Sequence, residues 1–130
     1  MKFALNFFAN FIGVISTYLL AFFTPIALWI ALVGLFVVAD FVTALLKAHK
    51  NGTAITSNKM FKTIPKFIAY GTAVIIAHAL FLAFFPEFPA VKLITGFIAY
   101  IELKSIDENF KEITGHSFFK AFIDKLNPKK

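Results

Sequence analysis

The stretch Leu28 to Lys47, LWIALVGLFVVADFVTALLK, is an apolar run of bilayer length with one carboxylate, Asp40, inside it. A hydrocarbon core about 30 Å thick takes about 20 apolar residues of helix to cross, which this segment supplies. Asp40 narrows the choice of surroundings. An ionised side chain at that depth costs about 2.5 to 3.5 kcal/mol on insertion scales, so it turns to a protein partner or to water rather than to lipid.

The rest of the chain agrees with a membrane setting. Its 130 residues are enough for one domain, and 59% of them are hydrophobic while 15% are charged, against about 25% charged in soluble domains. The net charge of +6 comes wholly from lysine. On a soluble protein that excess would suggest nucleic acid; beside hydrophobic segments it suits anionic lipid headgroups and orientation signals, and no nucleic-acid partner is expected. The lack of cysteine excludes disulfides and thiolate metal sites. No glycine-rich phosphate loop, metal-ligand spacing or nucleophile with a base partner is present, so neither an enzyme nor a cofactor is expected.

Four apolar segments follow in order. Residues 3–23, preceded by the charge of Lys2, resemble a signal peptide, but no small-x-small cleavage site precedes Thr24 and the apolar run is too long. As a helix this segment aligns Asn6, Asn10, Gly13 and Thr17 in one stripe, suited to association with another helix. It reads either as a span or as an interfacial helix with its asparagines among the headgroups. Thr24-Pro25 has the form of an N-cap followed by proline at the first helical position, which predicts a tight hairpin and a fresh helix over 25–48. Residues 49–59 hold the turn signal Asn51-Gly52 and form the main loop, with Ser57 or Asn58 able to cap a short amphipathic segment. A further span is expected over 64–85. His78 within it is expected to be a hydrogen-bonded packing residue rather than a relay or metal ligand.

Pro86 and Pro89 turn the chain before a weaker span over 91–109, interrupted by Glu102. Gly115 reads as a helix C-cap. Ser117 caps a final amphipathic helix, 117–126, with Phe119, Phe122, Ile123 and Leu126 on one face, suited to a membrane surface or a neighbouring helix; the Lys129-Lys130 tail favours the surface. The expected fold is therefore an all-α membrane protein with three to four transmembrane helices and a C-terminal amphipathic helix. Lysines 47, 50, 59, 62 and 66 around the main loop, and those after the last span, place both on the cytoplasmic side by the positive-inside rule.

This topology sets three charges at one depth. Asp40 lies about 10 Å above Lys47, Lys66 about 10 Å above Lys59, and Glu102 about 10 Å above Asn109. An intramembrane cluster of Asp40, Lys66 and Glu102 is the candidate site, within one chain or with a neighbouring subunit; snorkelling of each group to the interface is the alternative.

These residues carry a resemblance. Asp40-Phe41-Val42-Thr43-Ala44 resembles the D-x-x-T-G signature of the toxin-secretion and phage-lysis holins. The run from Glu102 through Ser105, Ile106 and Glu108 to Asn109 is similar to the E-x-x-S-I-x-E-N element of that family's last span, and a lysine-containing loop with Ser57 lies between. The resemblance implies a small phage-encoded protein of the bacterial inner membrane that forms homo-oligomeric lesions, collapses the membrane potential and lets an endolysin or a toxin leave the cytoplasm. A small ion channel or transporter subunit, and a membrane anchor or antiholin scaffold, are the competing expectations.

Overall fold

The computed structural model describes residues 2–54, 61 and 63–126. Ser57, Asn58, Lys59, Lys62 and the Lys129-Lys130 pair lie outside the described residues, as do the side chains of Phe122, Ile123 and Leu126. Among the described residues the chain is all-helical: α1 covers Lys2–Lys50, α2 Thr63–Ala83, α3 Ala90–Thr114 and α4 Phe118–Leu126. Of these, α1 and α2 are long and apolar enough to cross a membrane.

The hairpin expected at Thr24-Pro25 does not form. α1 runs unbroken through both residues for 49 residues, a length of about 73 Å. The physical reason is a count of hydrogen bonds. A turn here would expose the unpaired N–H and C=O groups of two helix ends in an apolar stretch with Thr24 as the one capping side chain. Continuing the helix forfeits a single bond, the one Pro25 cannot donate to the Ala21 carbonyl. Thr24 instead donates its hydroxyl to the Leu20 carbonyl at 2.6 Å, an intrahelical bond rather than a cap.

The bundle forms over the second half of α1. Phe22, Ile26, Trp29, Ile30 and Val33 recur at helical spacing and meet Val74 and Tyr70 of α2 and Val91, Ile94 and Ile98 of α3. α2 runs antiparallel to α1, and α3 runs parallel to it. Gly34 marks the close approach of α1 to α2, where a Cβ would stand 3.0 Å from the Phe67 ring. Residues 4–21 of α1 are exposed all round and project from this bundle.

The helices are joined by short structured turns. Asn51 and Gly52 close α1, with the Asn51 N–H on the Lys47 carbonyl at 3.0 Å and Gly52 at φ 63°, a left-handed conformation that glycine adopts without strain. α3 ends at Gly115, φ 82°, whose N–H reaches the Lys111 carbonyl at 2.8 Å. Ser117 then caps α4, accepting from the Lys120 N–H at 3.0 Å, and donates to Asp107 Oδ2 at 2.7 Å. Asp107 Oδ1 also accepts from the Phe119 N–H at 3.0 Å, which ties α4 to α3.

α3 is inverted relative to a helix of a soluble bundle. Its buried residues are Thr95, Ile98, Glu102 and Asn109, while Leu93, Phe97 and Tyr100 face outward. Three of the four buried positions are polar, with aromatic and aliphatic side chains outside, so α3 packs on its neighbours through its polar face.

Candidate functional site

The three helices each contribute charged or polar groups to one layer toward the Lys50 end of the bundle. α1 supplies Asp40 and, one turn on, Thr43, whose hydroxyl donates to the Asp40 carbonyl at 2.9 Å. α2 supplies Lys66 and Tyr70, four residues apart and so on one face. α3 supplies Glu102 and Asn109, seven apart and again on one face. The Lys66 ammonium donates to Asp40 Oδ2 and to Glu102 Oε2, both at 2.7 Å. Tyr70 donates its hydroxyl to Glu102 Oε1 at 2.8 Å. Asn109 Nδ2 reaches Asp40 Oδ1 at 3.2 Å and the Thr43 hydroxyl at 3.3 Å.

Every carboxylate oxygen of Asp40 and Glu102 therefore has a donor. This matters because Glu102 is wholly buried, with 0% of its side chain exposed, and Asp40 keeps 14%. A buried charge without partners costs several kcal/mol, whereas a network in which each lone pair is met becomes tolerable. Toward the Ile26 end of the bundle the layer is followed by the buried residues Val33, Val37, Val74 and Ile98. Toward the Lys50 end it adjoins a cavity of about 350 Å³ lined by Phe41, Ala44, Lys47, Asn51, Thr53 and Asn109. With all three groups ionised the cluster carries one excess negative charge.

Below it, a second set of contacts holds α1 to the end of α3. Lys47 pairs with Glu112 at 2.6 Å, and Lys50 donates to the carbonyls of Glu112 at 3.2 Å and Ile113 at 2.6 Å. A cation on the last carbonyls of a helix also meets the negative end of its dipole.

The structure thus brings Asp40, Lys66 and Glu102 into direct contact, and joins Thr43 and Asn109 to them. Ser105 and Ile106 are half-buried and Glu108 is exposed; none bonds to the network. Asn6, Asn10, Gly13 and Thr17 lie in the projecting half of α1, all exposed, where the Thr17 hydroxyl satisfies the Gly13 carbonyl at 2.9 Å. Tyr70 is the member that sequence reasoning missed. Its signal is the four-residue step from Lys66, legible only once Lys66 is assigned an inward face. His78, expected to be hydrogen-bonded, is instead buried between Phe22 and Phe81, with no partner for Nε2. Among the described residues no group of His, Cys, Asp and Glu side chains could hold a metal ion.

The profile of the bacteriophage holin family matches residues 10–127, which include all six network residues. The chain belongs to that family. No curated protein and no solved structure matches it. As a holin it is a non-enzymatic protein of the bacterial cytoplasmic membrane that forms membrane lesions for phage lysis. The holin's buried layer contains no catalytic constellation. It is a polar joint between three helices whose outer surfaces are apolar.

Proposed function

We propose that this holin collects in the membrane as a closed three-helix unit and then self-associates into homo-oligomeric lesions, which depolarise the membrane and release an endolysin. A large toxin would leave by the same route. The observation that carries this reading is the inverted distribution of polarity: Asp40, Thr43, Lys66, Tyr70, Glu102 and Asn109 satisfy one another within one chain while Leu35, Val38, Phe97 and Tyr100 face outward. In that state the chain offers lipid an apolar surface. Separating the helices would leave the same groups needing water or a neighbour's partners, so an assembly that turns them inward to an aqueous lumen keeps them solvated.

Residues 25–48, 64–85 and 91–109 serve as spans in this proposal. The main loop and α4 lie on the cytoplasmic side, where Lys47 and Lys50 also meet anionic lipid. The projecting part of α1 supplies the surface through which copies meet. It is about 30 Å long, apolar around most of its circumference, and bears the Asn6, Asn10, Gly13 and Thr17 stripe on one side.

The test is to induce the protein in a bacterial host that carries a cytoplasmic endolysin without a signal peptide, following membrane potential and endolysin release together. Delayed, sudden depolarisation with release is the expected result. Depolarisation with the endolysin retained would replace the proposal with a small ion channel. Unchanged potential, growth and retention after confirmed insertion would replace it with an anchor or antiholin scaffold.

A further inference from the structure

α1 is too long for the membrane it occupies. Its 49 residues extend about 73 Å, more than twice the thickness of a hydrocarbon core of about 30 Å. To fit between the two boundaries, a straight helix of that length would tilt by about 65° from the membrane normal, against a usual range of about 0 to 40°. α2 forbids such a tilt. It packs against the second half of α1 and has 21 residues; at about 31 Å long, it would then cover only about 13 Å of depth.

With the bundle upright, Thr24 and Pro25 stand at the boundary opposite Lys47, about 33 Å from it along the helix. A straight α1 would carry residues 4–21 beyond that boundary into water. All of them are exposed, among them Leu5, Phe7, Phe8, Phe11, Ile12 and Leu19. Apolar surface on that scale does not stay in water beside a bilayer.

The weakest point of the helix lies at the same level. Pro25 leaves the Ala21 carbonyl without its backbone donor. The Thr24 hydroxyl donates to the Leu20 carbonyl at 2.6 Å, a back-bond of the kind that bends helices. Headgroups and water at this level satisfy backbone groups that hydrocarbon would orphan. If the helix breaks here, Pro25 suits the first position of the helix that follows, and the Thr24 hydroxyl, released from Leu20, becomes the N-cap acceptor for the Ala27 N–H.

We propose that residues 21–25 are a hinge that the bilayer opens, and that the arm 2–20 lies along the membrane face opposite Lys50, roughly at right angles to the bundle. The Asn6, Asn10, Gly13 and Thr17 stripe then faces the headgroups, and Phe8, on the other side of the helix, faces the acyl chains. The stripe comes to one level in every copy, where neighbouring arms meet in the assembly proposed above. The hinge rests on residues 25–48 being a span, and the two fail separately.

Pulsed electron spin resonance of the full chain in nanodiscs, labelled at Phe8→Cys and Leu35→Cys and diluted with unlabelled protein, reads the bend as a distance. The chain has no cysteine of its own. A straight α1 sets the two sites about 40 Å apart and a right-angled one about 29 Å, and the shorter separation is expected. Leu5→Cys with Leu20→Cys, and Leu28→Cys with Leu46→Cys, keep their helical separations of about 22 and 27 Å, which confines the bend to the hinge. The Phe8 and Leu35 labels are expected to be relaxed by oxygen rather than by a water-soluble nickel chelate. A separation of about 40 Å with Leu35 in lipid, or a Phe8 label open to the chelate, would overturn the hinge alone. A shortened pair within the arm or within the bundle would move the bend away from Pro25. A separation of about 10 to 15 Å would replace the proposal with an arm folded back across the bilayer. A Leu35 label open to the chelate would overturn the span, and the hinge with it.

Discussion

The Tyr70 hydroxyl donates to Oε1 of Glu102 at 2.8 Å, the oxygen that Lys66 leaves open. That bond completes the hydrogen bonding of the most deeply buried charge among the described residues. Tyr70→Phe keeps the ring in the core and removes only the donor. A hydrogen bond to a charged acceptor is worth about 1.5 to 3 kcal/mol, so a loss of that size is expected in thermal unfolding of the purified protein. Combined with Glu102→Gln, the loss should be less than the sum of the two single effects, because both act on one interaction. Full additivity would place Tyr70 outside the network.

Lys66→Met tests the centre of the layer. It leaves two carboxylates converging on an empty position, and removing one partner of a buried ion pair costs about 3 to 5 kcal/mol. The variant is expected to melt well below the parent and to lyse its host early or fail to accumulate, as read by membrane content and culture density. Melting and lysis time equal to the parent's would refute the network's role in both.

Asn109 distinguishes a hydrogen bond from a charge effect. Asn109→Ala removes the donor on Asp40 Oδ1, whereas Asn109→Asp places a like charge 3.2 Å from it. The aspartate variant is therefore expected to be the less stable of the two in the same unfolding assay, by more than about 1 kcal/mol. The reverse order would mean that the site is open enough to water to screen the pair.

Two glycines separate packing within a chain from packing between chains. A side chain at Gly34 meets the Phe67 ring, so Gly34→Leu is expected to cost about 1 to 3 kcal/mol in unfolding. Gly13 has open space around it, and Gly13→Leu is expected to leave stability within about 0.5 kcal/mol of the parent. If the projecting stripe joins copies, Gly13→Leu lowers chemical cross-linking into oligomers and delays lysis. Unchanged cross-linking would remove the stripe from the assembly surface.

The chain has no cysteine, so single cysteines report topology without background. Asn51→Cys is expected to react with a membrane-impermeant maleimide only after the cells are opened, and Glu87→Cys in intact cells. Labelling in the opposite sense would invert the orientation.

Much of this protein is legible in the order of its residues alone. Apolar runs of bilayer length compel helices, since in lipid a backbone must satisfy its own hydrogen bonds. A fixed rise of 1.5 Å per residue then sets the depth of Asp40, Lys66 and Glu102 from their distances to flanking polar residues. Chain direction and the clustering of lysine do the rest for the expected topology. Tertiary structure decided what these local rules leave free. Whether Thr24-Pro25 ends a helix depends on what would meet the orphaned backbone groups on either side, and with little there to cap them the helix continues. Which donor meets which carboxylate oxygen depends on the rotation of three helices about their own axes. Spacing fixes a residue's height and relative face but not the direction of that face, so Tyr70 and Asn109 find Glu102 and Asp40 only when the helices pack.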